Sequence, residues 1–142
     1  MKAHFFIVGA QRSGTTYLYN LLDEHPEIAM AKPVRPEPKF FLKPENLNKG
    51  KADYLNKYFV NCEKYKVLGE KSTSYIEYEQ AAKDIKVMFP DAKIIISIRN
   101  PIQRAISNYY FSKKNGFETR TLEEVFVQQK TMLTNKDLAI ST

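Results

Sequence analysis

The stretch HFFIVGAQRSGTT, residues His4 to Thr16, decides the fold. His4-Phe5-Phe6-Ile7-Val8 is a short run of aromatic and β-branched residues, the composition of a strand buried on both faces. It passes directly into Gly9-Ala10-Gln11-Arg12-Ser13-Gly14-Thr15-Thr16. Leu18, Leu21 and Leu22 then recur at helical spacing until His25-Pro26 ends the pattern. Strand, glycine loop and helix in immediate succession read as the opening unit of an α/β fold.

The loop itself has chemistry. Two glycines separated by four residues, Gly9 and Gly14, followed by Thr15-Thr16, have the frame of a phosphate-binding P-loop. There, backbone N–H groups and a helix N-terminus surround phosphate oxygens. One position departs from the nucleoside-triphosphate version. Thr15 stands where a lysine would reach the β- and γ-phosphates. The donors that remain, Arg12, Ser13, Thr15 and Thr16 with their amides, suit an anion with less charge at that spot.

Downstream, Pro33, Pro36, Pro38 and Pro44 predict a loop between Lys32 and Pro44. Ala52 to Val60 and Tyr75 to Met88 carry amphipathic helical patterns. Lys93 to Ile98 reads as the strongest strand of the chain, again with apolar residues for both faces. Asn100 and Pro101 start a helix as N-cap and first residue, running through Ala105, Ile106 and Tyr109. Thr121 with Glu124 makes a capping box for a last helix bearing Leu122, Val125 and Phe126. Apolar strands alternating with helices give a P-loop-like three-layer sandwich, a central parallel sheet flanked by helices.

Composition bounds the rest. The 142 residues are 43% hydrophobic and 13% aromatic, enough for one packed core and unlike a disordered or collagenous chain. No apolar run has the length of a membrane span or a signal peptide. Cys62 is the single cysteine, so no internal disulfide forms, and it has no sequence neighbour suited to metal binding. The net charge of +6 favours an anionic partner without choosing among nucleotide, acidic glycan, membrane surface and nucleic acid. The lysines are dispersed among acidic residues, as on an ordinary solvated surface.

A second constellation closes the strongest strand: Arg99-Asn100-Pro101-Ile102-Gln103-Arg104-Ala105-Ile106-Ser107. In open parallel sheets ligands gather at the carboxyl ends of strands, so Arg99 is expected to face the same crevice as the glycine loop. Ser107 follows about two helical turns later, within reach of a phosphate held by the arginine. Arg104 reads as a solvated helix-face residue, with a third anion contact as the alternative.

GAQRSGTT after a strand, then EPKFF, then GEKSTSY, then IRNPIQRAISNYY, in that order, resemble the sulfotransferases that use 3'-phosphoadenosine 5'-phosphosulfate (PAPS). The resemblance covers about Phe5 to Phe111. It implies that residues 1–142 form a single sulfotransferase domain, truncated at its C-terminal side. It also implies that Gln11, Arg12, Ser13, Gly14, Thr15 and Thr16 bind the 5'-phosphosulfate end, and that Arg99 and Ser107 bind the 3'-phosphate. Neither His4 nor His25 resembles the catalytic histidine of the phenol and steroid branch. Instead Glu37, in EPKFF, resembles the acidic base of the carbohydrate branch, which includes the heparan sulfate enzymes. Lys71, in GEKS, resembles a lysine near the transferring group, and Arg12 would meet the phosphosulfate. The activity so implied is sulfuryl transfer to a hydroxyl or amine of a glycan or small-molecule acceptor, with no metal and no nucleic-acid partner. The expected location is cytoplasmic, or the Golgi lumen if an anchor belongs to the whole protein. A P-loop kinase or triphosphatase and a non-catalytic polyanion-binding module are the alternative readings.

Overall fold

A computed structural model of the protein describes residues 2–127. Four strands, β1 (Ala3–Gly9), β2 (Ile28–Met30), β3 (Val67–Lys71) and β4 (Lys93–Ile96), form one sheet in the order β2-β3-β1-β4, and every pairing is parallel. Among the described residues up to Lys114 the helices are α1 (Thr15–Asp23), α2 (Pro44–Leu47), α3 (Gly50–Tyr58), α4 (Glu79–Met88) and α5 (Pro101–Lys114). Short 3-10 turns occupy Phe40–Leu42 and Tyr75–Glu77. The chain divides into two compact units, Met1–Asn100, which holds the whole sheet, and Pro101–Thr142.

The expected α/β architecture is present. β1 is central and buried from His4 to Gly9, as its apolar run requires. Its register places Phe6 beside Glu70 and Ile7 beside Lys71, and Gly9 beside Ile96 on the other side, so three strands end along one edge. Below the sheet, Phe6, Phe40, Phe41, Tyr54 and Phe89 form an aromatic core, with Phe40 and Tyr54 ring centroids 5.0 Å apart in edge-on geometry. Edge-to-face pairs of this kind each add about 0.5–1.5 kcal/mol beyond the area they bury.

Several expectations are corrected. β2 and β3 carry short strands that the apolar pattern did not flag, since β3 (VLGEK) ends in two charged residues. The helix expected from Tyr75 begins at Glu79, after a 3-10 turn. In α1 the buried residues are Thr15 and Tyr19, whose hydroxyl donates to the Ala31 carbonyl at 2.9 Å, while Leu21 is exposed. β4 is shorter than expected and is not buried on both faces. Among the described residues it is the edge of the sheet, paired to β1, and Ile94 and Ile96 are about half exposed beside an open apolar groove of about 410 Å³ against α4.

In the second unit α5 starts at Pro101, as expected. The capping box forms: Glu124 N–H donates to Thr121 Oγ1 at 3.2 Å, and Thr121 N–H to the Glu124 carboxylate at 2.6 Å. Residues 122–127 are helical.

Candidate active site

The glycine loop joins the end of β1 to α1. Arg12 and Gly14 both take left-handed backbone conformations, φ 64° and 79°, and Gly14 is the residue on which α1 begins. Glycine holds that conformation without strain. At Gly9 the reason is space: a Cβ there would lie 2.7 Å from Ile76 Cγ2 and 3.2 Å from the Thr73 carbonyl oxygen. The loop is tied to β4 as well. Ala10 N–H donates to the Ser97 carbonyl and Ser97 N–H to the Gly9 carbonyl, both at 2.8 Å. Ser97 Oγ donates to the Ser13 carbonyl at 2.5 Å.

Ser13 and Thr15 are buried. Ser13 Oγ lies out of solvent with no hydrogen-bond partner among the described residues. The first N–H groups of a helix lack intrahelical partners, so α1 presents donors where that orphaned hydroxyl sits. A polar atom of this kind, inside a glycine loop at a helix start, fits an anion as its partner.

Glu37 and Lys71 meet. Lys71, the last residue of β3, is almost wholly buried, and its Nζ lies 2.5 Å from Glu37 Oε1. Thr73 N–H donates to Glu37 Oε2 at 3.0 Å, and Thr73 Oγ1 donates to the same carboxylate. The loop from Lys32 to Pro44 is therefore ordered around a carboxylate held by three donor groups. Its side chain remains about 15% exposed, so it faces the solvent side of the sheet's carboxyl edge. Gln11 Nε2 reaches Ser74 Oγ at 3.4 Å, linking this cluster to the glycine loop.

Behind Glu37 lies a carboxyl with no exposure at all. Glu70 accepts O–H donors from Tyr54 (2.7 Å), Tyr75 (2.7 Å) and Ser72 (2.6 Å). Burial pushes its pKa above the ordinary carboxylate range, and the three hydroxyls pull the other way. Reading the motifs missed Glu70, Ser72, Thr73, Tyr75 and Ser97 as parts of this site. A signal existed for some of them, because GEKSTSY places four hydroxyl-bearing residues directly after the lysine.

Arg99 is exposed, two residues past Ser97 and so near the strand end that holds the loop. Ser107 is half-buried on α5, in the second unit, and Arg104 is exposed there. Cys62 is a half-buried free thiol whose pKa burial raises, and His4 packs on the Phe89 ring, 4.4 Å between centroids. Among the described residues no group of three or more His, Cys, Asp or Glu side chains is placed to hold a metal.

Residues 2–136 match the family model described as the sulfotransferase domain. The chain belongs to the sulfotransferase family. It is similar to a sulfotransferase of known structure from Alicyclobacillus acidocaldarius, with TM-score 0.73 and 30% identity, covering 95% of this chain and 60% of that one. It is 34% identical over 103 residues to the mouse heparan sulfate glucosamine 3-O-sulfotransferase 3B1, covering 72% of this chain and 25% of that protein. It is 37% identical, also over 103 residues, to the bifunctional heparan sulfate N-deacetylase/N-sulfotransferase 1 of Caenorhabditis briggsae, covering 71% and 12%. Membrane-associated sulfotransferase kil1 of Dictyostelium discoideum is 28% identical over 123 residues, covering 77% and 23%. The sulfotransferase chain thus spans about a quarter or less of these curated relatives. Among the described residues no helix is long and apolar enough to cross a membrane.

Proposed function

We propose that this sulfotransferase chain binds PAPS and takes part in moving its sulfuryl group onto a hydroxyl or amine of a glycan. The observation that carries the reading is the Glu37–Lys71–Thr73 cluster set against a glycine loop that lacks a triphosphate lysine. When bound, the donor supplies an activated sulfuryl group whose departure leaves negative charge on a phosphate oxygen.

Every other role falls to the chain. Ser13 Oγ, the amides of Gly14, Thr15 and Thr16, and the Arg12 guanidinium would hold the 5' end of the nucleotide. Gln11 keeps the loop against Ser74. Glu37 would take the proton of the acceptor hydroxyl or amine as that group attacks sulfur in line. Lys71 holds Glu37 in place and, with Arg12, offers positive charge where the leaving oxygen becomes negative. Arg99 would bind the 3'-phosphate. Ser13, Thr15 and Lys71 are buried, so they need little reorganisation at the moment of transfer.

A glycan acceptor is favoured because two of the similar proteins are named for heparan sulfate. The Dictyostelium relative is named as membrane-associated, which weighs toward an anchored protein over a cytoplasmic one. The deciding assay follows transfer of radiolabelled sulfate from PAPS to heparan sulfate in wild type and Glu37→Gln. Label on the glycan that depends on Glu37 supports the assignment, and equal transfer by both proteins removes Glu37 as the base.

A further inference from the structure

Glu70 touches none of the groups assigned to the reaction, yet it occupies the centre of the residues that hold them. It is fully buried one residue before Lys71, and its carboxylate accepts from Tyr54, Tyr75 and Ser72. Two of those hydroxyls have a second partner in the loop that carries Glu37. Ser72 Oγ accepts the Lys39 N–H at 2.9 Å, and the Tyr75 hydroxyl accepts the Phe41 N–H at 3.3 Å. Tyr58 adds a third tie, donating to the Pro38 carbonyl at 3.3 Å.

The direction of these bonds matters. A hydroxyl has one proton and two acceptor lone pairs, whereas an ionised carboxylate only accepts. Facing ionised Glu70, with both hydroxyls on the one oxygen Oε1, Ser72 and Tyr75 each turn the proton toward the carboxylate. Their lone pairs are then left for the amides of Lys39 and Phe41. A neutral amide in place of the carboxylate could donate to the hydroxyls and free them to rotate away from the loop.

We infer that Glu70 is a positioning residue: through Ser72 and Tyr75 it fixes the polarity of the bonds that clamp residues 37–41 onto the end of β3, and so sets Glu37 against Lys71 and Thr73. The link to turnover rests on the reading of Glu37 as the base, while the clamp itself does not. Lys39 shows the clamp's effect on the backbone, since it is a non-glycine residue held at φ 47°. Left-handed geometry there costs energy that surrounding contacts must offset.

Two readouts separate the clamp from general stability. Amide hydrogen exchange is measured by NMR at pH 7.5 for wild type, Glu70→Gln, and the milder Tyr75→Phe and Ser72→Ala. Exchange at Lys39, Phe41 and Thr73 is expected to rise at least tenfold, while the β1 amides of Phe6 and Ile7 stay within twofold. Ser72→Ala should act mainly at Lys39 and Tyr75→Phe mainly at Phe41. Unchanged loop exchange, or an equal rise at Phe6 and Ile7, overturns the inference.

The second readout is release of 3'-phosphoadenosine 5'-phosphate from PAPS with heparan sulfate present. Glu70→Gln is expected to lower kcat about tenfold or more with KM for PAPS within twofold, and to add less than twofold in a Glu37→Gln background. Additive losses overturn the positioning role. If Glu37→Gln alone changes nothing, the base assignment falls, and the exchange data still decide the clamp.

Discussion

Lys71 and Glu37, 34 residues apart in the chain, meet with Nζ 2.5 Å from Oε1, the lysine almost fully buried and the carboxylate partly open. The pair joins the end of β3 to a proline-rich loop, and it gives the carboxylate one free side. That side is where an acceptor proton would arrive. Glu37→Gln keeps the shape and removes the basicity, so turnover should fall by about 10²–10⁴, the range for a positioned general base. Calorimetric affinity for 3'-phosphoadenosine 5'-phosphate should remain within about threefold of wild type, an order-of-magnitude expectation for a residue outside the nucleotide's contacts.

Removing the lysine has a different consequence. Lys71→Met leaves a carboxylate beside apolar bulk, and the loss of one partner of a buried pair costs about 3 kcal/mol or more when both groups are fully desolvated. Partial exposure of Glu37 brings the expected loss to about 1–3 kcal/mol. Lys71→Met combined with Glu37→Gln should be more stable than Lys71→Met alone, since the unpaired charge is gone. Urea unfolding of the three variants measures this, and a double variant no more stable than Lys71→Met would refute the pairing as a stability element.

How far the sequence discloses this site differs by residue. The glycine loop and β1 were legible because a strand buried on both faces and a left-handed glycine leave local marks. Glu37 and Lys71 were found as single positions, through motif resemblance, but their contact was not. It depends on β3 lying beside β1 in parallel register, and β3 hides from an apolar pattern because its last two residues are Glu70 and Lys71. Glu70 was invisible for the same reason. A buried carboxyl is recognised by its donors, and these come from positions 54, 72 and 75, which only the fold brings together. β4 erred in the opposite direction: its isoleucines read as core, yet the edge of the sheet leaves two of them half exposed.

Glu70 should also make stability depend on pH. Its native pKa lies above the ordinary 4.5 because burial disfavours the charge. The folded state then binds more protons than the unfolded state between the two pKa values, so stability falls as pH rises through that window. Its contribution is fully present below about 4.5 and is lost as pH climbs through the native value. The difference in unfolding free energy between wild type and Glu70→Gln, followed from pH 4 to pH 8, should shift against wild type as pH rises. A flat difference would show that the three hydroxyl donors fully offset burial.

Gly9 offers a test of the loop's packing. Gly9→Ala puts a methyl 2.7 Å from Ile76 Cγ2, closer than van der Waals contact permits. Overpacking of this size costs about 1–3 kcal/mol. A matching drop in the thermal midpoint is expected, with weaker nucleotide binding because Gly9 also carries the hydrogen bond to Ser97. An unshifted midpoint would mean that Ile76 yields freely.

The most direct test is isothermal calorimetry of 3'-phosphoadenosine 5'-phosphate against AMP and against ATP with Mg²⁺, on wild type and Arg99→Ala. A 3'-phosphate held by a charge-assisted bond from Arg99 is worth about 1.5–3 kcal/mol, or about 10–100-fold in affinity. The account predicts that preference over AMP, and its loss in Arg99→Ala. Equal affinity for AMP, or tighter binding of ATP with Mg²⁺, would contradict it.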